Sequence, residues 1–292
     1  MTPDRTELVL AALQRLADAV ERFAPPAPSP IDWTYKAYRW TRSGRKPPLK
    51  PVPRPHAIGL CDLLCIDRQK AALERNTRQF LLGLPANNAL LWGSKGTGKS
   101  SLVKALLHDY AESGLRLIEV DKGDLGELPE ILECIHDRPE RFILFSDDLS
   151  FESEEPGYKA LKSVLDGSTS VLCANALIYA TSNRRHLLPE YMAENLEAHP
   201  VENEIHHGDS VEEKISLSER FGLWISFHPF SQDDYLATVE YWLAKLGTPG
   251  LKANWVDIRT EALRWALARG SRSGRVAWQF ARDWCGRTAL GP

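Results

Sequence analysis

The chain has 292 residues, of which 43% are hydrophobic and 26% are charged, and its formal net charge is −3 at pH 7. This composition is typical of a globular protein with a hydrophobic core, and the acidic balance argues against a general attraction to nucleic acids or anionic membranes. The five cysteines contain no C-x2-C pair, so we expect reduced thiols rather than disulfides or a zinc site. No apolar run approaches the roughly 20 residues of a membrane span, and no signal-peptide pattern opens the chain, so the expected location is the cytoplasm.

Residues 1–56 are predicted to form a helix followed by a proline-rich arm. The apolar residues of 6–23 recur at the spacing of an amphipathic helix, which a run of prolines then ends. Residues 33–54 contain seven basic residues, four aromatic residues and no acidic residue. This pattern is compatible with nucleic-acid binding through residues 31–54, with phosphates on the basic side chains and bases on the aromatic rings. We favour instead an arm whose aromatic side chains pack on the rest of the protein while its charges face water.

Residues 57–228 alternate between short apolar runs and longer amphipathic stretches. The predicted strands are 89–92, 115–120, 141–146, 176–180 and 223–227. The predicted helices are 99–112, 127–137, 156–165 and part of 186–218. Strands that are apolar throughout, each followed by a helix, predict a parallel sheet covered on both faces, which is a three-layer α/β/α domain.

Residues 229–292 show no strand pattern. Three helices are predicted there, from 231 to 246, from 258 to 269 and from 275 to 287. The first of them opens with the serine and the acidic residue of a capping box. The sequence therefore predicts a small all-helical lid domain after the α/β domain.

The segment 93–100 reads Gly-Ser-Lys-Gly-Thr-Gly-Lys-Ser and matches the P-loop motif between a predicted strand and a predicted helix. Its glycines let the backbone curl so that N–H groups face phosphates, and the helix N-terminus adds partial positive charge. Lys99 is expected to reach the β- and γ-phosphates of ATP, and the Ser100 hydroxyl to bind Mg²⁺. The predicted nucleotide-binding residues are Gly93, Ser94, Lys95, Gly96, Thr97, Gly98, Lys99, Ser100 and Ser101.

An acidic pair follows the apolar run 142–146. Asp147 is the expected second ligand of Mg²⁺, and Asp148 is the residue expected to polarise the attacking water. Most ATPases of this type have a glutamate at the second position. The aspartate side chain is one methylene shorter and must still reach the water.

The order of these motifs and of three later segments resembles the AAA+ ATPases. The later segments resemble the sensor-1 strand, the arginine-finger segment and the opening of the sensor-2 helix; they are 177–184, 216–223 and 273–277. The resemblance implies roles near the γ-phosphate for Asn183, Arg220 and Arg275. It also implies that the segment from residue 59 to residue 67 contacts adenine.

The resemblance covers residues 57–288. The sequences of residues 85–88, 147–151 and 220–224 are similar to those of an uncharacterised bacterial family of predicted AAA+ ATPases. The resemblance to the AAA+ ATPases implies ATP and Mg²⁺ as cofactors, catalytic roles for Asn183, Arg220 and Arg275 beside those expected of Lys99 and Asp148, and a homo-oligomer, by resemblance a hexamer. It further implies that hydrolysis is coupled to remodelling of a macromolecule, either a protein or a nucleoprotein.

Two alternatives remain open at this point. A nucleotide-gated switch or scaffold would bind ATP and assemble but barely hydrolyse it, and steady-state turnover distinguishes it from an ATPase. A small-molecule kinase would use the arginines of its own lid and need no partner subunit. A GTPase fits less well, because the nearest match to its N-K-x-D guanine-binding motif, residues 121–124, begins with Asp and precedes the acidic strand.

Overall fold

In a computed structural model of the protein, the described residues are 9, 14, 15, 30–41, 48–151, 156–166, 174–185, 187, 199–201, 204–206, 217–248, 251 and 254–290. Most of the predicted N-terminal helix at 6–23 and most of the predicted helical part of 186–218 lie outside them. Within 186–218 the described residues include a two-stranded antiparallel hairpin, at a place where the sequence analysis predicted no strand.

From β3 onward, most of the strands of the central sheet alternate with helices along the chain, and three helices follow the last strand. The strands are β1 (Ala37–Trp40), β2 (Leu49–Pro51), β3 (Ala89–Gly93), β4 (Leu115–Glu119), β5 (Arg141–Ser146), β6 (Ala176–Ser182), β7 (His199–Val201), β8 (Glu204–His206) and β9 (Leu223–Phe227). The α-helices are α1 (Asp67–Leu81), α2 (Lys99–Tyr110), α3 (Leu128–Ile135), α4 (Pro156–Leu165), α5 (Gln232–Lys245), α6 (Trp255–Ala268) and α7 (Gly274–Leu290). The five strands predicted between residues 57 and 228 are therefore confirmed.

The central sheet has seven strands in the order β2-β1-β4-β5-β6-β3-β9, and β2 is its antiparallel member. Consecutive residues of its inner strands face opposite sides, as the pleat requires. Leu91 and Ile143 point into one buried core with α1, α2 and the C-terminal helices, whereas Leu90 and Leu144 point into a second core with α3 and α4. Both faces are covered, which confirms the predicted three-layer architecture.

The edge of the sheet holds two strands that the sequence analysis did not predict. Tyr38 and Trp40 of β1 are buried, whereas Arg39 between them is exposed, so this part of the predicted arm alternates as a half-buried strand. The Tyr38 hydroxyl donates to the Asp32 carbonyl at 2.9 Å. Pro51 is tolerated because β2 is the outermost strand, where a missing N–H leaves no partner unsatisfied. The predicted packing of the arm's aromatic side chains on the core is therefore present: Tyr38 and Trp40 pack from within the sheet, and Trp33 and Tyr35 pack from the residues before β1.

Two basic side chains of this edge form ion pairs within the chain. Lys36 Nζ lies 2.5 Å from Glu112 Oε1, and Arg39 lies 3.0 Å from Glu119 Oε2. The predicted division into residues 1–56, 57–228 and 229–292 stays a prediction, although β1 and β2 precede its first boundary while belonging to the sheet.

The described C-terminal residues form the expected helical unit. Helix α5 begins after Ser231, whose hydroxyl accepts the Asp234 N–H at 3.1 Å, so the predicted capping box is present. The Tyr235 hydroxyl donates to the Ala262 carbonyl at 3.0 Å and connects α5 to α6. None of the described helices combines the length and the apolar character that crossing a membrane requires.

The assignment of β1 to the folded core predicts unequal costs for two neighbouring substitutions. Tyr38→Ala should lower the free energy of unfolding by about 3 kcal/mol, because it empties a buried site. Arg39→Ala removes a surface ion pair and should cost less than about 1 kcal/mol. Chemical denaturation measures both. Equal effects would contradict the placement of β1.

Candidate nucleotide-binding site

Four neighbouring strands, in the order β5-β6-β3-β9, have their carboxyl ends side by side on the same side of the sheet. Ser146 of β5 pairs with Ala180 of β6, and Trp92 of β3 pairs with Ser182. Because these strands are parallel, the residues that follow them meet above the same edge. This is the usual place for ligands in open α/β sheets.

At the start of the P-loop, where the chain leaves β3, the backbone of Gly93 lies so close to the backbone of β9 that no side chain fits between them. Gly93 has φ 125°, and a Cβ there would lie 2.0 Å from the Phe227 carbonyl oxygen of β9. Gly96, with φ 77°, touches the C-terminal unit, where a Cβ would lie 2.8 Å from Ser273 Oγ. Helix α2 then begins at Lys99, so its N-terminus faces the loop.

The ammonium group of Lys99 lies at the base of the loop, and the residue as a whole is 7% exposed. It donates to the Gly93 carbonyl at 2.6 Å, to the Ser94 carbonyl at 2.7 Å and to Asn183 Oδ1 at 3.2 Å. These acceptors satisfy all three donors of the ammonium. Asn183 follows β6, so the predicted sensor-1 residue and the P-loop lysine are in direct contact.

The pKa of Lys99 lies below its ordinary value, and burial is the largest cause. Burial lowers the pKa of Lys99, whereas the carboxylates of Asp148 and Asp147 act to raise it. The positive charges of Arg275 and Lys95 act in the same direction as burial. An anion entering the loop would add charge of the sign that favours the protonated amine.

Asp147 is held by two hydroxyl groups. Ser100 Oγ and Thr181 Oγ1 each donate to Asp147 Oδ1 at 2.5 Å, and Thr181 Oγ1 also accepts the Asp148 N–H at 2.9 Å. The Ser100 hydroxyl and the Asp147 carboxylate therefore face each other across the cavity floor. Hard oxygen donors of this kind suit Mg²⁺, which takes one or two protein ligands and completes its shell with phosphate and water.

Asp148 adopts a backbone conformation that is uncommon for a residue with a side chain, with φ 54°. Asn183 Nδ2 donates a short hydrogen bond to Asp148 Oδ1. Asn183 thus bridges Lys99 and Asp148 through the two ends of its amide. Strained backbone of this kind persists where surrounding contacts fix it, and it is common at functional sites.

A cavity of about 620 Å³ opens above these residues. Its floor includes Lys99, Asp147, Asp148 and Asn183. Its other walls are Ile58, Leu63 and Ile66 from the segment before α1, and Trp242, Arg275 and Trp278 from the C-terminal helices. The volume and the combination of apolar walls with a polar floor suit a nucleotide.

The two predicted arginines lie in different surroundings. Arg275 lines the cavity, and its backbone N–H donates to the Gly96 carbonyl at 3.2 Å. Arg220 is not among the cavity-lining residues and forms an ion pair with Asp166. The structure therefore brings together every predicted site residue except Arg220 at one cavity or along the loop that forms its floor.

Asp62 is a cavity residue that the sequence analysis did not single out, and it is 6% exposed. Its Oδ1 accepts from the Tyr241 hydroxyl at 2.5 Å and from Lys245, and its Oδ2 accepts the Gly59 N–H at 3.0 Å. Burial alone would raise the pKa of Asp62, but the hydrogen bonds from Lys245, Tyr241 and Gly59 hold it below its usual value. Asp62 is thus a charged link between the segment before α1 and helix α5.

Comparisons with known proteins add two distant structural similarities. The RuvB Holliday junction branch migration motor of Thermotoga maritima is 12% identical, with a TM-score of 0.42, over 77% of this chain and 71% of that chain. The Orc1 protein of Aeropyrum pernix, solved in complex with DNA, is 16% identical, with a TM-score of 0.49, over 79% of this chain and 62% of that chain. No curated protein matches the chain.

The P-loop, the parallel sheet and the helical C-terminal unit give the chain the AAA+ P-loop fold that its sequence resembles. A family model described as "Protein of unknown function (DUF815)" matches residues 33–288. The chain belongs to this family.

Proposed function

We propose that the protein is an ATPase that binds Mg-ATP in this cavity, works as a homo-oligomer and couples hydrolysis to remodelling of a protein or nucleoprotein. Two contacts support the proposal that ATP binds here: Lys99 with Asn183, and Ser100 with Asp147. A P-loop lysine, a hydroxyl, a carboxylate and a polar residue beyond the next strand are the parts that phosphoryl transfer from ATP uses.

Each residue has a distinct role in this proposal. The backbone N–H groups of 94–100 and the N-terminus of α2 bind the phosphates, and Lys99 exchanges its carbonyl partners for phosphate oxygens. Ser100 and Asp147 would hold Mg²⁺, which neutralises charge on the β- and γ-phosphates. Asp148 accepts a proton from the attacking water, and Asn183 fixes the Asp148 carboxylate relative to Lys99.

One observation favours a second candidate, the nucleotide-gated switch with little hydrolysis. The Asp148 side chain is shorter than a glutamate, and its carboxylate is already engaged by Asn183. Both features reduce its ability to polarise a water molecule. A steady-state turnover of the wild-type protein above the background rate excludes this candidate, and ATP binding without turnover supports it.

Binding of nucleic acid by residues 31–54 is not part of this proposal. The carboxylates beside Lys36 and Arg39 reduce the positive charge that this edge could offer to phosphates. In this proposal, the macromolecule that is remodelled binds to surfaces of the protein outside the ATP cavity.

Lys99→Ala should weaken ATP binding at least tenfold, about 1.4 kcal/mol or more, because it removes the ammonium that meets the phosphates. Lys104→Ala is the matched control, since Lys104 lies on the same helix, is 33% exposed and lies 3.5 Å from Glu119. Titration with a fluorescent ATP analogue measures both. Equal affinity of the two variants would refute the site.

In this proposal Arg220 acts on ATP that is bound by a neighbouring subunit, where its charge stabilises the γ-phosphate in the transition state. Arg220→Ala should bind ATP normally and hydrolyse it at least about 10³-fold more slowly. Mixing this variant with Lys99→Ala should restore part of the activity. Some interfaces then combine an intact P-loop with an intact Arg220.

The control for this mixture is each variant mixed with itself at the same total concentration. Co-assembly of the two variants is checked by affinity capture through a tag on one of them. No recovery of hydrolysis in a co-assembled mixture would refute a shared site.

A further inference from the structure

We propose that Asp62 is a positioning residue that fixes the apolar part of the cavity lining in the arrangement that the base of a bound nucleotide needs. This role rests on the proposed binding of ATP in the cavity. Three hydrogen bonds converge on the buried carboxylate of Asp62: Tyr241 and Lys245 donate to Oδ1, and the Gly59 N–H donates to Oδ2.

The apolar part of the lining comes from two separate parts of the chain. Ile58, Leu63 and Ile66 lie in the segment before α1, and Trp242 and Trp278 lie on α5 and α7. The two tryptophan rings have their centroids 4.5 Å apart, so they form one aromatic surface. In the proposed function the phosphates lie along the P-loop, which leaves these apolar and aromatic side chains for the base. Affinity for the base then depends on how the two parts of the chain are held together.

Asp62 is bonded to both parts beside that lining. Along the chain it directly precedes Leu63. Its partners Tyr241 and Lys245 lie on α5 on either side of Trp242, the first directly before it and the second about one turn after it. Hydrogen bonds have preferred lengths and directions, whereas the hydrophobic effect is non-directional. The three bonds therefore define the position of α5 relative to the segment before α1 more sharply than apolar packing alone does.

Burial makes this contact costly to break. Asp62 is 6% exposed. Although burial acts to raise the pKa of Asp62, its hydrogen bonds hold that pKa below the usual value. A buried carboxylate that loses its partners keeps the cost of leaving water without the compensation. Movement of α5 away from the segment would strand this charge, so the arrangement with all three bonds is favoured before any nucleotide arrives.

The segment before α1 is itself bonded to the helix that follows the P-loop. The Leu60 N–H donates to Asp109 Oδ2 at 3.1 Å, and Asp109 belongs to α2, which begins at Lys99. The bonds of Asp62 therefore place α5 relative to α2 as well as relative to the segment. Their loss should reduce the fraction of molecules in which the apolar lining and the P-loop are arranged together for a whole nucleotide.

Asp62→Asn is the test variant, because it keeps the size of the side chain. The single amide oxygen accepts from only one side, and the amide nitrogen then faces a donor on the other side. Asp62→Asn should weaken the binding of Mg-ATP about tenfold, which corresponds to a lining that is correctly arranged in about a tenth of the molecules. Calorimetric titration measures the affinity.

Inorganic tripolyphosphate separates this role from a general loss of structure, because it has a chain of three phosphates and no base. Asp62→Asn should keep an affinity for tripolyphosphate within about twofold of the wild type, since its effect is confined to the base. Lys99→Ala should weaken the binding of both ligands, since it removes the ammonium that meets the phosphates. Competition with a fluorescent ATP analogue measures both affinities.

Lys245→Met tests the same contact from the other side and carries the test if Asp62→Asn does not fold. The Lys245 side chain is 47% exposed, and methionine keeps most of its apolar stem. Lys245→Met should also weaken ATP binding. The double variant with Asp62→Asn should bind ATP no more weakly than Asp62→Asn alone, because the two residues act through one contact. Hydrogen exchange of residues 59–66, measured without nucleotide, should be faster in Asp62→Asn than in the wild type.

Glu140→Gln is the matched control. The Glu140 side chain is 16% exposed and accepts from the Arg138 guanidinium at 2.8 Å, but among the described residues it is not part of the cavity lining. It should leave the affinity for ATP unchanged. Thermal unfolding verifies that every variant is folded.

Several outcomes overturn the inference. A wild-type affinity for ATP in Asp62→Asn would contradict it, as would an equal loss of affinity for ATP and for tripolyphosphate or an additive loss in the double variant. If Lys99→Ala binds both ligands as tightly as the wild type, the proposed ATP site itself fails. If Lys99→Ala loses both ligands and Asp62→Asn loses neither, only the role of Asp62 fails.

Discussion

The buried ammonium group of Lys99 imposes the constraint on which the site depends. Removing an ammonium from water is costly unless its donors and its charge are compensated. Two carbonyls of the P-loop and the amide of Asn183 accept its hydrogen bonds, and the carboxylates of Asp147 and Asp148 oppose the effect of burial on its pKa. Compensation thus draws on residues that follow three different strands, and it requires β3, β5 and β6 to end at the same edge.

The C-terminal helices are connected to this site at two places. At the P-loop, the Arg275 N–H donates to the Gly96 carbonyl, and Ser273 lies against the same glycine. In the segment before α1, Asp62 accepts hydrogen bonds from Tyr241 and Lys245 of α5. A ligand that displaces either contact changes the support of the whole helical unit. In the proposed function, this connection is a physical route by which nucleotide binding would alter the position of the C-terminal helices.

The parts of the site that could be predicted from sequence are those set by local geometry. The P-loop is eight consecutive residues, and Asp147 directly follows a strand whose centre, residues 142–145, is apolar, so both follow from patterns within one segment. Thr181 carried a readable signal as well, because it is the next-to-last residue of β6 and lies two residues before Asn183, which follows that strand. In residues 33–54 the many prolines and basic residues obscure the alternation of Tyr38, Arg39 and Trp40, which is the local sign of β1.

Asp62 could not be predicted in this way. Its partners Tyr241 and Lys245 are 179 and 183 residues away, and no local pattern indicates that such a contact forms. The same holds for Asp166 and Arg220, which are separated by 54 residues. Contacts of this range are set by how the helices pack on the sheet, and a single sequence does not encode them in a readable spacing.

The most direct measurement is an experimental structure with a non-hydrolysable ATP analogue and Mg²⁺. We expect the triphosphate along the loop 93–100, Lys99 turned from its carbonyl partners to the phosphates, and Mg²⁺ bound by Ser100 with Asp147 beside it. A nucleotide bound elsewhere, or one bound in this cavity with Lys99 still on the carbonyls of Gly93 and Ser94, would contradict it.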